Sequence, residues 1–434
     1  MTSVVIAGAG IGGLTAALAL HELGVAVRVL DSAARLLPLG VGINLLPPAV
    51  RELAGLGLEP ALARIAVATA QMAHFDRHGN LIWSQPRGRA AGEQWPQYSV
   101  HRGWLQQLLY ETVRERLGPD AVRTGAAVRD FDQTADAVNI RVAVADSEFE
   151  LRADALIGAD GLHSAVRARL YPEEGAPIWY GQRIWRGVGR AAPFHTGRTV
   201  AIAGDNATAK VVAYPIAEEL DEQGRALINW VCEVADPGAE PGTADWDRTG
   251  RLADVLPHYA DWHFDWLDVP ALLASSTRIL EYPMVDRDPL PAWTSGRVTL
   301  LGDAAHPMYP LGSNGGTQAI LDAAALAAAF ATDGADVSFN TDGADVPFNT
   351  DGADSSFNTD GLDVPKALAR YDAARRETAN AIVTACHDMP ADRILRTVAE
   401  RAPEGFTDIA QVLTPAELAA ITDAYRQTSP TESA

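Results

Sequence analysis

A chain of 434 residues is too long for one ordinary domain and fits two or three. Its 47% hydrophobic and 21% charged residues describe a globular protein able to bury a sizeable core. The excess of 56 acidic over 35 basic residues, a net charge of −21, excludes nucleic acid and anionic membrane surfaces as partners, because both demand a basic patch.

Residues 3–7 (SVVIA) form a short apolar run, read as a buried parallel strand. A glycine turn follows, then a helical stretch over about 11–23 that Gly24 is placed to end. Residues 25–30 give a second strand closed by Asp31, so the chain opens on a βαβ unit. The first 20 residues are apolar, but they lack a basic start and carry Gly8, Gly10, Gly12 and Gly13. They are therefore read as part of the fold, and the protein as soluble, unprocessed and cytoplasmic.

Residues 40–45 form a loop ahead of a helix starting at Pro48, and from about 72 to 97 the pattern loosens into turns, Pro and Trp. Helical character returns over 102–117, strands joined by a turn over 122–144, and an apolar run over 155–159 ends at Asp160 and Gly161. The stretch from about 182 to 283 is rich in Trp and holds the strand-like runs IWRGVGR, TVAIAG, AKVVAYPI and LINWVCEV. It predicts a largely antiparallel sheet in a second domain. Strand character resumes over 298–301, followed by a helix beginning near Thr317.

Residues 330–365 then repeat with a period of nine: FATDGADVS, FNTDGADVP, FNTDGADSS, FNTDGLDVP. The eight Asp of this segment supply −8 of the −21. Calcium-binding nonapeptide repeats are one reading, but that pattern pairs glycines around the Asp, which this one does not. A solvated insertion over about 331–363 between two helices is the other, favoured by low hydrophobicity and high charge. Residues 366–386 are helical, and the tail to 434 holds one or two helices and a frayed end. The two cysteines, Cys232 and Cys386, stand in no ligand spacing, so neither a disulfide scaffold nor a metal site is expected.

The first chemical motif is Gly8-Ala9-Gly10-Ile11-Gly12-Gly13, a GxGxxG that follows a strand, opens a helix and precedes an acid, Asp31, by 23 residues counted from Gly8. Gly8 permits the tight turn, Gly10 the approach of a pyrophosphate, and Gly13 close packing of helix on sheet. The helix N-terminus offers N–H groups to phosphates, and Asp31 can accept from a ribose hydroxyl. This motif does not separate NAD from FAD.

Two further motifs follow in order: Asp160-Gly161 in ALIGADGLHSAVR and Gly302-Asp303 in VTLLGDAAHPMYP. With all three, the sequence resembles the class A FAD-dependent aromatic hydroxylases, salicylate hydroxylase-like, over almost the whole chain outside the repeat. Segments such as GVGINLLPPAV, PQYSVHRG and YPMVDRDPLPAW look like the phenazine-1-carboxylate hydroxylase branch.

The resemblance implies an α/β fold: a Rossmann-like FAD-binding domain (para-hydroxybenzoate hydroxylase-like) over residues 1–72, 99–178 and 284–385. Residues 73–98 and 179–283 make an inserted β-sheet substrate domain, and 386–434 a helical tail. It implies noncovalent FAD, NADH or NADPH as a transient donor, and transfer of one oxygen atom of O2 to an aromatic, carboxylated small molecule through a flavin C4a-hydroperoxide, the other atom leaving as water. Decarboxylation accompanies this chemistry in the phenazine branch. A flavin oxidase or dehydrogenase that inserts no oxygen is the alternative. A monomer or homodimer is expected.

In that family Asp303 contacts the ribityl chain and pyrophosphate region, Asp160 lies near the pyrophosphate, Arg102 contacts FAD from a helix start, and Val128 meets the adenine end through its backbone. The loop Tyr309, Pro310, Gly312 to Gly315 and Gly316 faces the flavin ring, although Ser313 and Asn314 stand where the commoner pattern has Gln. Asn44, Trp185, Arg186, Tyr214 and, from the flavin loop, Tyr309 are the substrate candidates. Trp185 and Tyr214 also read as core residues, Arg186 as an inter-domain ion pair, and His306 as either a base or a packing residue beneath the flavin.

Overall fold

The computed structural model describes residues 1–38, 40–236, 248–310, 312–331, 361–387 and 393–428. Leu311, the greater part of the period-nine repeat and the expected frayed end fall outside the described residues.

The first layer is a six-stranded sheet in the order Thr294–Ser295, Val298–Leu300, Ala155–Gly158, Ser3–Ala7, Ala26–Leu30 and Val122–Arg123. Its strands are parallel except for the terminal Thr294–Ser295 hairpin. The register aligns Leu30 with Ala7, Ala7 with Gly158 and Gly158 with Leu300. Four loops therefore leave the sheet at one level, beginning at Asp31, Gly8, Ala159 and Leu301. The chain runs outward from Ser3–Ala7 to one side and returns on the other at Ala155–Gly158. That reversal is the switch point at which open α/β sheets bind ligands.

Helix Ile11–His21 is buried over Ile11 to Leu20 because it is wedged between the sheet and helices Arg102–Leu117 and Asn314–Ala331. Its Ala and Gly content allows that close approach. Leu14, Leu18 and Leu20 are wholly buried, each contributing about 1.5–3 kcal/mol. Gly24, at φ +73°, turns the chain after the helix has ended at His21.

The second layer is a seven-stranded sheet in the order Ile279–Asp286, Ile178–Ala191, Ala226–Ala235, Ala209–Pro215, Thr199–Gly204, Gln71–Phe75 and Leu81–Pro86. All pairings are antiparallel except Thr199–Gly204 with Gln71–Phe75. The expectation of loose turns over 72–97 is thus corrected: two strands of this sheet lie there, joined by a turn at Gly79 that the sequence pattern hid.

Side chains alternate across the sheet. Trp185, Trp230, Cys232, Tyr259 and Trp262 form a core on the outer face. Ile184, Val231, Leu280 and Met284 meet Val41, Tyr309 and Cys386 on the inner face. A three-stranded sheet of Gly42–Leu45, Gln97–His101 and Ala66–Thr69 lies between the layers in the chain's path.

Helix Val364–His387 braces the first sheet, with Tyr371 Oη donating to Leu300 O at 3.0 Å. Helices Arg393–Arg401 and Pro415–Thr428 cover the edge of the second, where Ile394, Leu395 and Val398 pack on Ile82 and Ile202. No described helix is long and apolar enough to cross a membrane. Among the described residues no group of three His, Cys, Asp or Glu stands together as a metal cage.

Candidate active site

The glycine turn divides its work in three. A Cβ on Gly8, at φ +105°, would lie 2.2 Å from Ala159 O, and one on Gly13 would lie 2.1 Å from Gly8 O. These two positions close the turn against the neighbouring strand. Gly12 likewise has no room, with Leu301 Cδ2 at 2.6 Å from its built Cβ. At Gly10 the same test meets nothing within 4 Å. The space beside Gly10 is the open cradle that a pyrophosphate needs. Helix Ile11–His21 begins beside it, and Gly10 supplies no side-chain cap, so the orphan N–H groups of the first turn face that space.

Asp31 bounds the cradle on one side. Its Oδ2 accepts from Ala9 N at 2.7 Å and its Oδ1 from Ala33 N at 2.8 Å. Ala126 N donates to Asp31 O at 2.8 Å, which brings the segment leading into Val128 alongside. Val128 itself is buried in strand Ala127–Gln133.

Asp160 bounds the cradle on the other side. Ser164 Oγ donates to its Oδ1 at 2.5 Å and Ala165 N to its Oδ2 at 2.8 Å, so Asp160 ties down the start of helix Ala165–Leu170. Burial pushes its carboxyl up, opposed by these hydrogen bonds. Arg102 opens its helix, with its N–H on Val41 O at 2.9 Å and its side chain exposed. Gln106, four residues on, donates to Ala9 O at 2.7 Å, a contact that sequence reasoning missed.

Asp303 sits in the short turn Gly302–Ala304 as an exposed carboxylate, and no hydrogen bond or ion pair of its side chain occurs among the described residues. Its neighbours Gly302, Ala304, Ala305 and His306 are all buried. His306 is not a free base. Its Nε2 stands 2.6 Å from Asp322 Oδ2, with both side chains fully buried, and its ring packs on Trp293. The reading of His306 as a packing residue is the one the geometry favours.

The loop beyond it turns through two left-handed residues, Gly312 at φ +64° and Ser313 at φ +62°. Ser313 carries a side chain in a conformation that favours glycine, which costs roughly 1–2 kcal/mol. The helix begins at Asn314, not near Thr317, so Gly315 and Gly316 lie in its first turn. A Cβ at Gly315 would meet nothing within 4 Å. Thr317 Oγ1 accepts from Leu46 N at 3.1 Å, joining this helix to Gly42–Leu45, which is a strand where the sequence pointed to a loop.

That strand is bound from above by the second sheet. Gly42 N donates to Asn229 Oδ1 at 2.7 Å, and Arg186 Nη2 donates to Gly42 O at 2.8 Å. Asn44 Oδ1 accepts from Ser99 Oγ at 2.6 Å. Arg186, Asn229 and Tyr214 thus belong to the inner face, Tyr214 being 4% exposed among Met72, Val200 and Ile216. Trp185 does not reach the site. As the strand neighbour of Arg186 it points to the outer face, 5.7 Å below the Arg183 guanidinium, and is corrected to a core residue.

Tyr309 is buried, its ring 5.2 Å from that of Tyr180, and burial followed by the charge of Asp286 pushes its phenol far up. Tyr180 sits where pairing shifts between Trp179 and Arg183, is 41% exposed, and is pushed up to about 12, first by burial and then by Asp286 and Asp288. Pro310 is exposed beside it.

Open space at Gly10, an uncapped helix start, an exposed acid at Asp303 and a second glycine-rich helix start all line one sheet edge. This donor set fits an FAD dinucleotide. Comparison with known proteins agrees. The family model described as FAD binding domain matches residues 1–208 and 267–334. The chain is 47% identical over 430 residues to phenazine 1,6-dicarboxylic acid hydroxylase PhzS of Lysobacter antibioticus, covering 98% of this chain and 96% of that protein. It is 33% identical to aurachin C monooxygenase/isomerase of Stigmatella aurantiaca, covering 88% and 87%. The crystal structure of Klebsiella pneumoniae HpxO complexed with FAD and uric acid has the same fold, with a TM-score of 0.69 at 22% identity, covering 100% of this chain and 94% of that one.

Proposed function

Since the chain belongs to the FAD binding domain family and is a flavoprotein monooxygenase of aromatic substrates, we propose that it hydroxylates a planar, carboxylated, multi-ring acid of the phenazine class. The observation that carries this reading is the 47% identity, over almost the full length of both chains, to a phenazine dicarboxylic acid hydroxylase. When bound, FAD would carry electrons from NADH or NADPH and activate dioxygen, so that one oxygen atom reaches the ring and the other leaves as water. Incorporation of oxygen from isotopically labelled dioxygen separates this from a flavin oxidase or dehydrogenase.

The chain's own residues then hold, orient and enclose. The turn from Gly8 to Gly13 and the start of helix Ile11–His21 hold the pyrophosphate, with Asp31 on the ribose, Val128 at the adenine end, and Arg102, Asp160 and Asp303 around the diphosphate and ribityl chain. Pro310, Gly312, Gly315 and Gly316 present backbone and a helix N-terminus to the flavin ring, where negative charge gathers on reduction. Asn44, Arg186, Tyr214 and Tyr309 enclose the substrate, with Arg186 the cation for a carboxylate. Burial of this inner face keeps water from the reacting atoms. The protein acts as a cytoplasmic monomer or homodimer.

The test is a substrate panel. Purified protein is given FAD and NADH or NADPH, and nicotinamide consumption is followed against phenazine mono- and dicarboxylates and salicylates, with product mass. Added oxygen, or a carboxylate replaced by hydroxyl, supports the proposal. Rapid turnover of salicylates with none of phenazines would overturn the substrate class. Asp303→Ala is expected to lose most of the bound flavin colour. Full retention of flavin would sink its assigned role.

A further inference from the structure

Asp303 presents a puzzle of support. It is the exposed member of a buried turn, and its carboxylate is oriented by no contact of its own among the described residues. Whatever fixes it must act through the backbone. The turn is in fact gripped from two sides.

On one side lies Asp322, fully buried on helix Asn314–Ala331. Its Oδ2 accepts from Gly302 N at 3.0 Å and meets His306 Nε2 at 2.6 Å, so one oxygen holds both ends of the turn. Its Oδ1 accepts from Arg375 Nε at 2.9 Å, and Arg375 Nη2 donates to Gln318 Oε1 at 2.6 Å. Arg375 belongs to helix Val364–His387, which enters the chain only after the period-nine repeat. On the other side Arg167, 1% exposed, donates to Ala304 O at 3.1 Å and Ala305 O at 2.8 Å, and is itself paired with Glu174.

A well-packed apolar side chain in place of a buried ion pair often gives equal or greater stability. It could not, however, bond Gly302 N and His306 together and fix the angle at which Asp303 leaves the turn. The cluster joins the cofactor turn, the flavin-ring helix and the late helix at one carboxylate.

We propose that Asp322 and Arg375 are positioning residues for the flavin, holding the Gly302–His306 turn so that Asp303 stays aimed into the crevice. The inference rests on the FAD reading above. Neither residue touches the cofactor. Their effect passes through the turn.

The experiment titrates FAD into the full-length protein and its variants, recording affinity, the bound-flavin absorption band and thermal unfolding with and without FAD. Arg375→Met is expected to weaken FAD at least tenfold and to alter the band. Arg375→Lys keeps one charged bond to Asp322 and is expected to restore most of the affinity. Gln318→Leu, which removes only the outer bond, serves if Arg375→Met does not fold and is expected to weaken FAD a few-fold. Variants that melt earlier yet bind FAD with wild-type affinity and an unchanged band would overturn the proposal and leave the cluster a matter of stability alone. Wild-type protein that takes up no FAD would instead overturn the flavin reading, so the two failures are distinct.

Discussion

Among single residues, Gly10 and Arg186 carry the chemistry that can be tested most directly. Arg186 lies on the inner face and is held to the flavin-side strand through Gly42 O. A hydrogen bond to a charged group contributes about 1.5–3 kcal/mol, a factor of roughly ten to over a hundred. Arg186→Met should therefore raise KM for a carboxylated substrate by that factor while leaving a decarboxylated analogue nearly unaffected. Equal loss on both compounds would reduce Arg186 to a fastener of the strand. The thiols give a second prediction. Cys232 and Cys386 are free and buried, and burial pushes Cys386 up to about 12, assisted by Asp286. Both stay protonated at pH 8 and should resist a disulfide reagent until the protein is unfolded. At this scale the glycine turn was fully legible, because only glycine satisfies both a positive φ and a 2.2 Å approach. Trp185 and His306 were ambiguous because a sequence does not say which face a strand residue takes, nor that an acid sixteen residues on will claim the imidazole.

Elements explain what residues alone do not. The inner face of the second sheet carries Lys210 and Glu233 from adjacent strands, 2.9 Å apart with side chains 2% and 6% exposed. Lys210 is one of only two lysines in the chain, and nothing in its neighbourhood of sequence marks it as buried. Removing one member of such a pair leaves an uncompensated charge and costs about 3–5 kcal/mol. Lys210→Met should lower the denaturant midpoint accordingly, and adding Glu233→Leu should recover most of the loss. A Lys210→Met protein as stable as wild type would mean that the pair is hydrated in solution. The first βαβ unit, helix Arg102–Leu117 and the four strand runs of the second sheet were readable from apolar periodicity. Strands Gln71–Phe75 and Leu81–Pro86 were not, since each is short and their alternation is broken by His74, Trp83 and the shift between His74 and Phe75. Pairing of the first with Thr199–Gly204, more than a hundred residues away, decides its state, and the second pairs onto it at the sheet edge.

At the scale of the whole molecule, the cofactor crevice hangs on a buried ionic cluster that joins three parts of the first layer, and acid tests that cluster. Burial raises the Asp322 carboxyl, but His306 and Arg375 outweigh it and hold the group below the ordinary carboxylate range. A carboxyl depressed in the folded state contributes stability that is present above its unfolded value and is lost only as pH falls through the lower folded one. The holoenzyme should keep its flavin spectrum from neutral pH down to about pH 4, the ordinary aspartate range, and release FAD only below it. Release that tracks ordinary carboxylate titration, and that persists in Asp322→Asn, would assign acid sensitivity elsewhere. At this scale the α/β architecture was legible from three motifs in order, whereas the way the two layers share the strand at Gly42 was not, because Asn229 and Arg186 reach it across 187 and 144 residues.

The pairing of Val298–Leu300 beside Ala155–Gly158 has a consequence for biosynthesis. Strand Ser3–Ala7 is translated about three hundred residues ahead of that last parallel partner, roughly 15–60 s earlier at ordinary elongation rates. Through that interval the nascent polypeptide exposes an unfinished, apolar sheet edge, so chaperone protection should be needed during synthesis. Cofactor loading must await translation of the Gly302–His306 turn.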